Sequence, residues 1–156
     1  MGYEKRRDLT IFLEAGFGTT ECPQRLEAAG FQVVCFSTPF EYECRNQISV
    51  SDPRIIRHCH KNGYDLLTHD KSMRHTHVEV IKKTDIAIIA TESFDKWSPG
   101  AWIEAFVKAK TDIKRHLKKH PRPWFAHLAI SGEIRKIETI TEEMGTRRVR
   151  PDEQAE

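Results

Sequence analysis

The chain is 156 residues long, which suits one domain with a real core and leaves too little for two comfortable ones. Hydrophobic residues at 38% and charged residues at 31% exclude a disordered or low-complexity protein. No apolar run approaches the roughly 20 residues that span a bilayer, so no membrane partner is expected. Net charge is only +2, but lysines and arginines crowd residues 108–122 and recur at Arg147, Arg148 and Arg150. Such clusters either contact phosphates or form a solvated helix face and a ragged terminus.

The opening MGYEKRRDLTIFLEAG has too few apolar residues before Glu14 for a secretory signal, and Arg6 stands where an N-myristoylation motif needs Ser or Thr. Cys22, Cys35, Cys44 and Cys59 form no C-x-x-C pair, so a reduced, cytoplasmic protein is expected. LTIFLE (9–14) is rich in strand formers and reads as the first strand. Thr19 or Thr20 caps a helix that runs to Ala29 and stops at Gly30. FQVVCFS reads as a second strand. SDPRIIRHCHKNG reads as a helix with Asp52 as N-cap, Pro53 in first position, Ile55, Ile56 and Cys59 on its apolar face, and Gly63 as its stop. YDLLTH (64–69) is the third strand, HVEVIKK a short helix, and DIAIIAT (85–91) the fourth strand. Ser98-Pro99 opens what reads as the longest helix, with Trp102, Ala105, Phe106, Ala109, Ile113 and Leu117 recurring at helical spacing. WFAHLAISGEIRKIETI reads as a hairpin about Ser131-Gly132. Residues from about 142 onward, charged and poor in apolar groups, read as a frayed tail.

Alternating strand and helix imply a parallel sheet with helices on both faces, whose ligand crevice lies beyond the carboxyl ends of the strands. Glu14 falls at the end of strand one, Asp70 at the end of strand three, and Asp52 reaches the same rim from the head of its helix. Three carboxylates on one rim raise one another's pKa unless a cation sits among them, and oxygen ligands of this kind suit Mg2+ or Mn2+. An ion so held activates water for attack on phosphorus, so metal-dependent phosphodiester hydrolysis is the sharpest expectation. Plainer explanations exist: Asp52 as a helix cap and Asp70 as a turn residue. Glu14 resists them, because a charge directly after IFL is costly to bury without a partner.

Other chemistries have less to stand on. A receiver domain wants adjacent acids after strand one, and a haloacid-dehalogenase-type phosphatase wants D-x-D there, whereas this chain has EAGFG. Neither a P-loop nor a G-x-G-x-x-G fingerprint occurs. The rival is zinc, from His58-x-His60 and His75-x-His77 with Cys59 and His69. Residues two apart on a helix face different ways, so His58 and His60 cannot easily share an ion, and surface polar residues are the simpler reading. A histidine near the rim, His69 or His75, is placed to touch a substrate phosphate.

Taken in order, IFLEAGFG, RLEAAGFQVV, TPFEY, SDPRII, GYDLLTHDKSM and RPWFAHLAISGEI resemble the PIN-domain superfamily, in particular short PIN-like proteins related to VapC-type toxins, over residues 9–137. The resemblance implies a single PIN-like domain over residues 1–140, folded as a Rossmann-like three-layer α/β/α sandwich with a mostly parallel central sheet. It also implies a charged, flexible tail over 141–156, acids that bind Mg2+ or Mn2+, and endonucleolytic cleavage of RNA. Glu14 stands where the family has its first Asp, Asp52 at the second acidic position, and Asp70 at the acid of the T-x-D turn. Glu14 and Asp70 would hold the ion, with Asp52 as a further ligand or as the group orienting the attacking water. Lys71, Arg74 or His75 would contact RNA phosphates. Where relatives often carry another acid, this chain has Ser72, and Glu79 is the nearest substitute. The implied partners are RNA, a protein antitoxin that covers the rim, and a second copy in a homodimer. The longer Glu14 and the missing acid at Ser72 support an alternative: a catalytically weak or inactive PIN-like module that binds RNA or protein.

Overall fold

Ile11, Phe12 and Leu13 are all fully shut off from solvent, which requires the strand that carries them to be covered on both faces and both edges. The computed structural model describes residues 8–145. In it, β1 (Thr10–Leu13) pairs in parallel with β2 (Gln32–Cys35) on one side and β3 (Asp65–Thr68) on the other. β4 (Ala87–Ala90) and β5 (Trp124–Leu128) continue the parallel set, and β6 (Ile134–Thr139) closes the edge antiparallel to β5. The strand order is β2-β1-β3-β4-β5-β6.

The period of two along each strand divides the core into two layers. Ile11, Leu13, Leu67, Ile89, Trp124 and Ala126 face α1 (Glu21–Ala28), α6 (Pro99–Lys108) and α7 (Lys110–Lys119), whose Leu26, Trp102, Phe106 and Ile113 fill that side. Phe12, Leu66, Ile88 and Phe125 face the other way, against Ile55, Ile56 and Cys59 of α3 (Asp52–Asn62), Met73 of α4 (Met73–Thr76) and Ile81 of α5 (Val78–Ile81). Phe40, at the entry to the short α2 (Glu41–Arg45), joins this second layer. The fold is therefore the expected three-layer α/β/α sandwich around a mostly parallel sheet. Among the described residues no helix is long and apolar enough to cross a membrane, and all four cysteines are free thiols.

Several local expectations change. Ser51, not Asp52, holds the cap position of α3, because the first intrahelical bond runs from Ile55 N–H to the Ser51 carbonyl (3.1 Å). Asp52 is the first helical residue, and its side chain is released for other contacts. The long amphipathic helix is two helices: Ala109 takes ψ near 0°, ends α6 and accepts the Ile113 N–H (2.8 Å) that starts α7. An extra helical turn, α4, precedes HVEV because Met73 must reach the core. The hairpin does turn at Gly132, with φ of 93°, where a Cβ would lie 2.6 Å from the Cβ of Lys108. The chain is tied down beyond residue 142, since Lys82 Nζ donates to the carbonyls of Glu142 and Met144 (both 3.2 Å) and Met144 packs on the α3–α5 layer. The rest of the expected tail, with Arg147, Arg148 and Arg150, lies outside the described residues.

At the amino end of β3, Asp65 is 1% exposed and takes a bidentate pair from Arg122 (2.9 and 2.8 Å) together with the Ala87 N–H (2.8 Å). One carboxylate thus links β3, β4 and the entry to β5. Removing one partner of a buried pair leaves an uncompensated charge and costs about 3–5 kcal/mol. Urea unfolding of Arg122→Met is expected to show a loss in that range, and a loss below about 1 kcal/mol would contradict this role.

Candidate active site

Parallel pairing sets Leu13 beside Leu67, and the Glu14 N–H extends the ladder by donating to the Leu67 carbonyl (3.2 Å). Glu14 therefore leaves the sheet alongside Thr68, with its side chain only 17% exposed. The buried Thr68 hydroxyl donates to Glu14 Oε2 and accepts the Asp70 N–H at 3.1 Å. The His69 N–H also donates to the Glu14 carboxylate. The His69 ring sets Nδ1 against Glu14 Oε1, although the nitrogen is not aligned for a hydrogen bond. Burial pushes the Glu14 carboxyl above its ordinary value of 4.5. The Thr68 hydroxyl, the His69 ring and the His69 N–H pull it back, and the charge of Asp52 pushes it further up. Burial wins.

Asp52 lies within electrostatic reach of Glu14, and its Oδ2 pairs with His77 Nε2 at 3.3 Å. Asp70 Oδ1 accepts both the N–H (2.9 Å) and the hydroxyl (2.6 Å) of Ser72. This is an Asx turn that opens α4. Asp52 Oδ1 and Asp70 Oδ2 carry no hydrogen bond among the described residues. An aromatic wall stands beside the acids: His69 stacks on Phe94 (4.7 Å between centroids, 22°), and Phe17 meets Phe94 edge-on at 5.1 Å. Gly16 lets the turn after β1 close onto this wall, since a Cβ there would come within 3.0 Å of the His69 ring.

The remaining expected residues are dispersed. Glu79 pairs with Lys82 (2.9 Å) and is not brought to the other acids. Lys71 pairs loosely with Glu92 (3.5 Å). Arg74 is committed to a bidentate pair with Glu138 on β6, which holds the Glu138 carboxyl below its ordinary range, and His75 lies against the same guanidinium (2.8 Å). His58 sits among the rings of Phe12, Phe40 and Tyr64, and burial lowers its pKa, while His60 pairs with Asp85 (3.0 Å). Among the described residues no three His, Cys, Asp or Glu side chains stand close enough to hold an ion as they are. The donors do suit a hard cation. Their free oxygens are carboxylate oxygens, and Mg2+ commonly takes one or two carboxylates and fills its shell with water. Thr68 and Phe94 are not among the expected site residues, the one signal for them being the hydroxyl two residues before Asp70 in T-H-D, and His77, expected only as half of a zinc pair, meets Asp52 instead.

No protein-family model, curated protein or solved structure matches this chain. The site's meaning rests on its own geometry.

Because the folded-state pKa of Glu14 is raised, its burial penalty is fully present above that raised value and is relieved as pH falls through it toward 4.5. Glu14→Gln is therefore expected to gain stability over wild type at pH 7, with the gain shrinking on acidification. Urea unfolding across that range checks it, and a gain that is flat or grows toward low pH would contradict the assignment.

Proposed function

We propose that this chain is a metal-dependent endoribonuclease of PIN type that hydrolyses phosphodiesters of single-stranded RNA at the rim formed by Glu14, Asp52 and Asp70. One observation carries the reading. Each acid has an oxygen fixed by its own neighbour (Thr68, His77 and Ser72), while Asp52 and Asp70 each keep an oxygen without a hydrogen bond among the described residues. Carboxylates that orient for an ion are commonly hydrogen-bonded in this way from behind. An Mg2+ or Mn2+ ion would be held by one or two of Glu14, Asp52 and Asp70 with water completing its shell, and would supply water activation and neutralisation of the phosphate.

The chain's own groups do the rest. Thr68 holds the Glu14 carboxylate toward the rim, and His77 fixes the rotamer of Asp52 so that its free oxygen can orient the attacking water. Lys71, directly after Asp70, would bring an ammonium toward the phosphate oxygens as they gather charge. A protein inhibitor would cover this rim by setting an Arg or Lys among the acids. Four free thiols support a reducing compartment such as the cytoplasm.

A second reading, a weak or silent PIN-like module, is favoured by two details: the His69 ring already sits against Glu14, and Ser72 stands where a further acid would be. Incubation with single-stranded RNA in Mn2+ or Mg2+ separates the two. The nuclease reading expects cleavage by wild type, none by Asp70→Asn or Asp52→Asn, and about 10- to 100-fold slower cleavage by Thr68→Val. Equal cleavage by wild type and Asp70→Asn would overturn it. RNA binding without cleavage by wild type would establish the second reading.

A further inference from the structure

The carboxyl rim carries a second concavity beyond the acids. A cavity of about 150 Å³ opens where β4 and β5 end, lined by Lys71, Thr91, Glu92, His127, Arg135 and Lys136 among others. That is several times the ~30 Å³ share of a liquid water, enough for a phosphate group with part of its hydration. Its charge is lopsided, with two lysines and an arginine against one glutamate, and the His127 ring adds a hydrogen-bonding group. Glu92 is already taken by Lys71 (3.5 Å), and Arg135 leans on Glu133 (3.2 Å). Lys136 has no hydrogen bond or ion pair among the described residues.

The backbone is irregular at the same place. Lys136 has φ of 52°, a left-handed conformation uncommon for lysine, and the β5–β6 register slips between Phe125 and His127. Strain and bulges of this kind tend to gather where a fold aims side chains at a ligand. The His127 ring is pushed down in pKa first by burial and then by the charges of Lys136 and Lys71, with Glu92 opposing, so both ammonium groups lie within electrostatic reach of it. Lys71 directly follows Asp70, which joins this cavity to the candidate active site along the chain.

We propose that this cavity is a phosphate-binding subsite, in which Lys136, Lys71 and His127 receive a backbone phosphate of a single-stranded RNA lying across the rim. Only the identity of the strand rests on the nuclease reading; the phosphate chemistry stands on the cavity itself.

The test measures binding of a short single-stranded RNA in EDTA, where no cleavage occurs, at several salt concentrations. Lys136→Asn keeps a residue type that tolerates positive φ and removes the charge. It is expected to weaken binding roughly tenfold and to lower the slope of log affinity against log salt by about 0.7, while Lys114→Gln on α7 does neither. Arg135→Gln gives a second, milder loss. In parallel, inorganic phosphate is titrated against the His127 ring signals by NMR, which should move in wild type and stay still in Lys136→Asn. Equal RNA affinity and slope for Lys136→Asn and Lys114→Gln would overturn the inference. Ring signals that follow phosphate while RNA affinity ignores Lys136 would also overturn it, by making this a site for the free ion. If Lys136→Asn loses RNA affinity but wild type cleaves nothing when Mn2+ is supplied, the subsite stands and the nuclease reading fails.

Discussion

The structure turns on a carboxylate that β1 carries out of the core and β3 receives. Leu13 is fully buried and Glu14 follows it at once, so the chain has no length in which to bring the charge to open water. A buried, unpartnered carboxylate is among the costliest things a fold can hold. Here the cost is lowered from the neighbouring strand, by the Thr68 hydroxyl and the His69 N–H and ring. The same hydroxyl accepts the Asp70 N–H, so the partner that tolerates Glu14 also fixes where the next acid begins. Two acids on different strands are set by one threonine.

A comparison between the two ends of the sheet separates a fully paired carboxylate from one paired only in part. Asp65, at the amino end, meets a guanidinium with both oxygens and an amide with one, and is fully compensated. Such a group holds strands together and leaves little for chemistry. At the carboxyl end Glu14 is compensated only in part, its pKa stays raised, and a second carboxylate adds to the strain. Incomplete compensation of acids at the ligand end of a parallel sheet is where a cation would be most strongly favoured. The cationic cavity at the ends of β4 and β5 lies on the same rim.

The sheet was legible because β1, β3 and β4 are short apolar runs separated by helical periodicity, and parallel topology then brings their carboxyl ends to one side. Placing Glu14, Asp52 and Asp70 near that rim needed nothing more. The break at Ala109 was not legible, because alanine is the best helix former and carries no signal for a change of axis. Nor was the cap of α3, where Ser51 and Asp52 are both good candidates and only the hydrogen-bond pattern decides between them. The partners of the acids were hidden for a different reason. His77 reaches Asp52 across 25 residues and Arg74 reaches Glu138 across 64, and no local period encodes contacts made by tertiary packing. Arg74 looked like a phosphate contact for that reason, and in the fold it anchors α4 to β6.

The most direct measurement is the anomalous difference map of a crystal soaked in Mn2+. A peak is expected among Glu14, Asp52 and Asp70, with Asp70 Oδ2 and Asp52 Oδ1 turned toward it and Glu79 still paired with Lys82. A map with no peak at these acids, or with its peak at the histidines of α3, would contradict it.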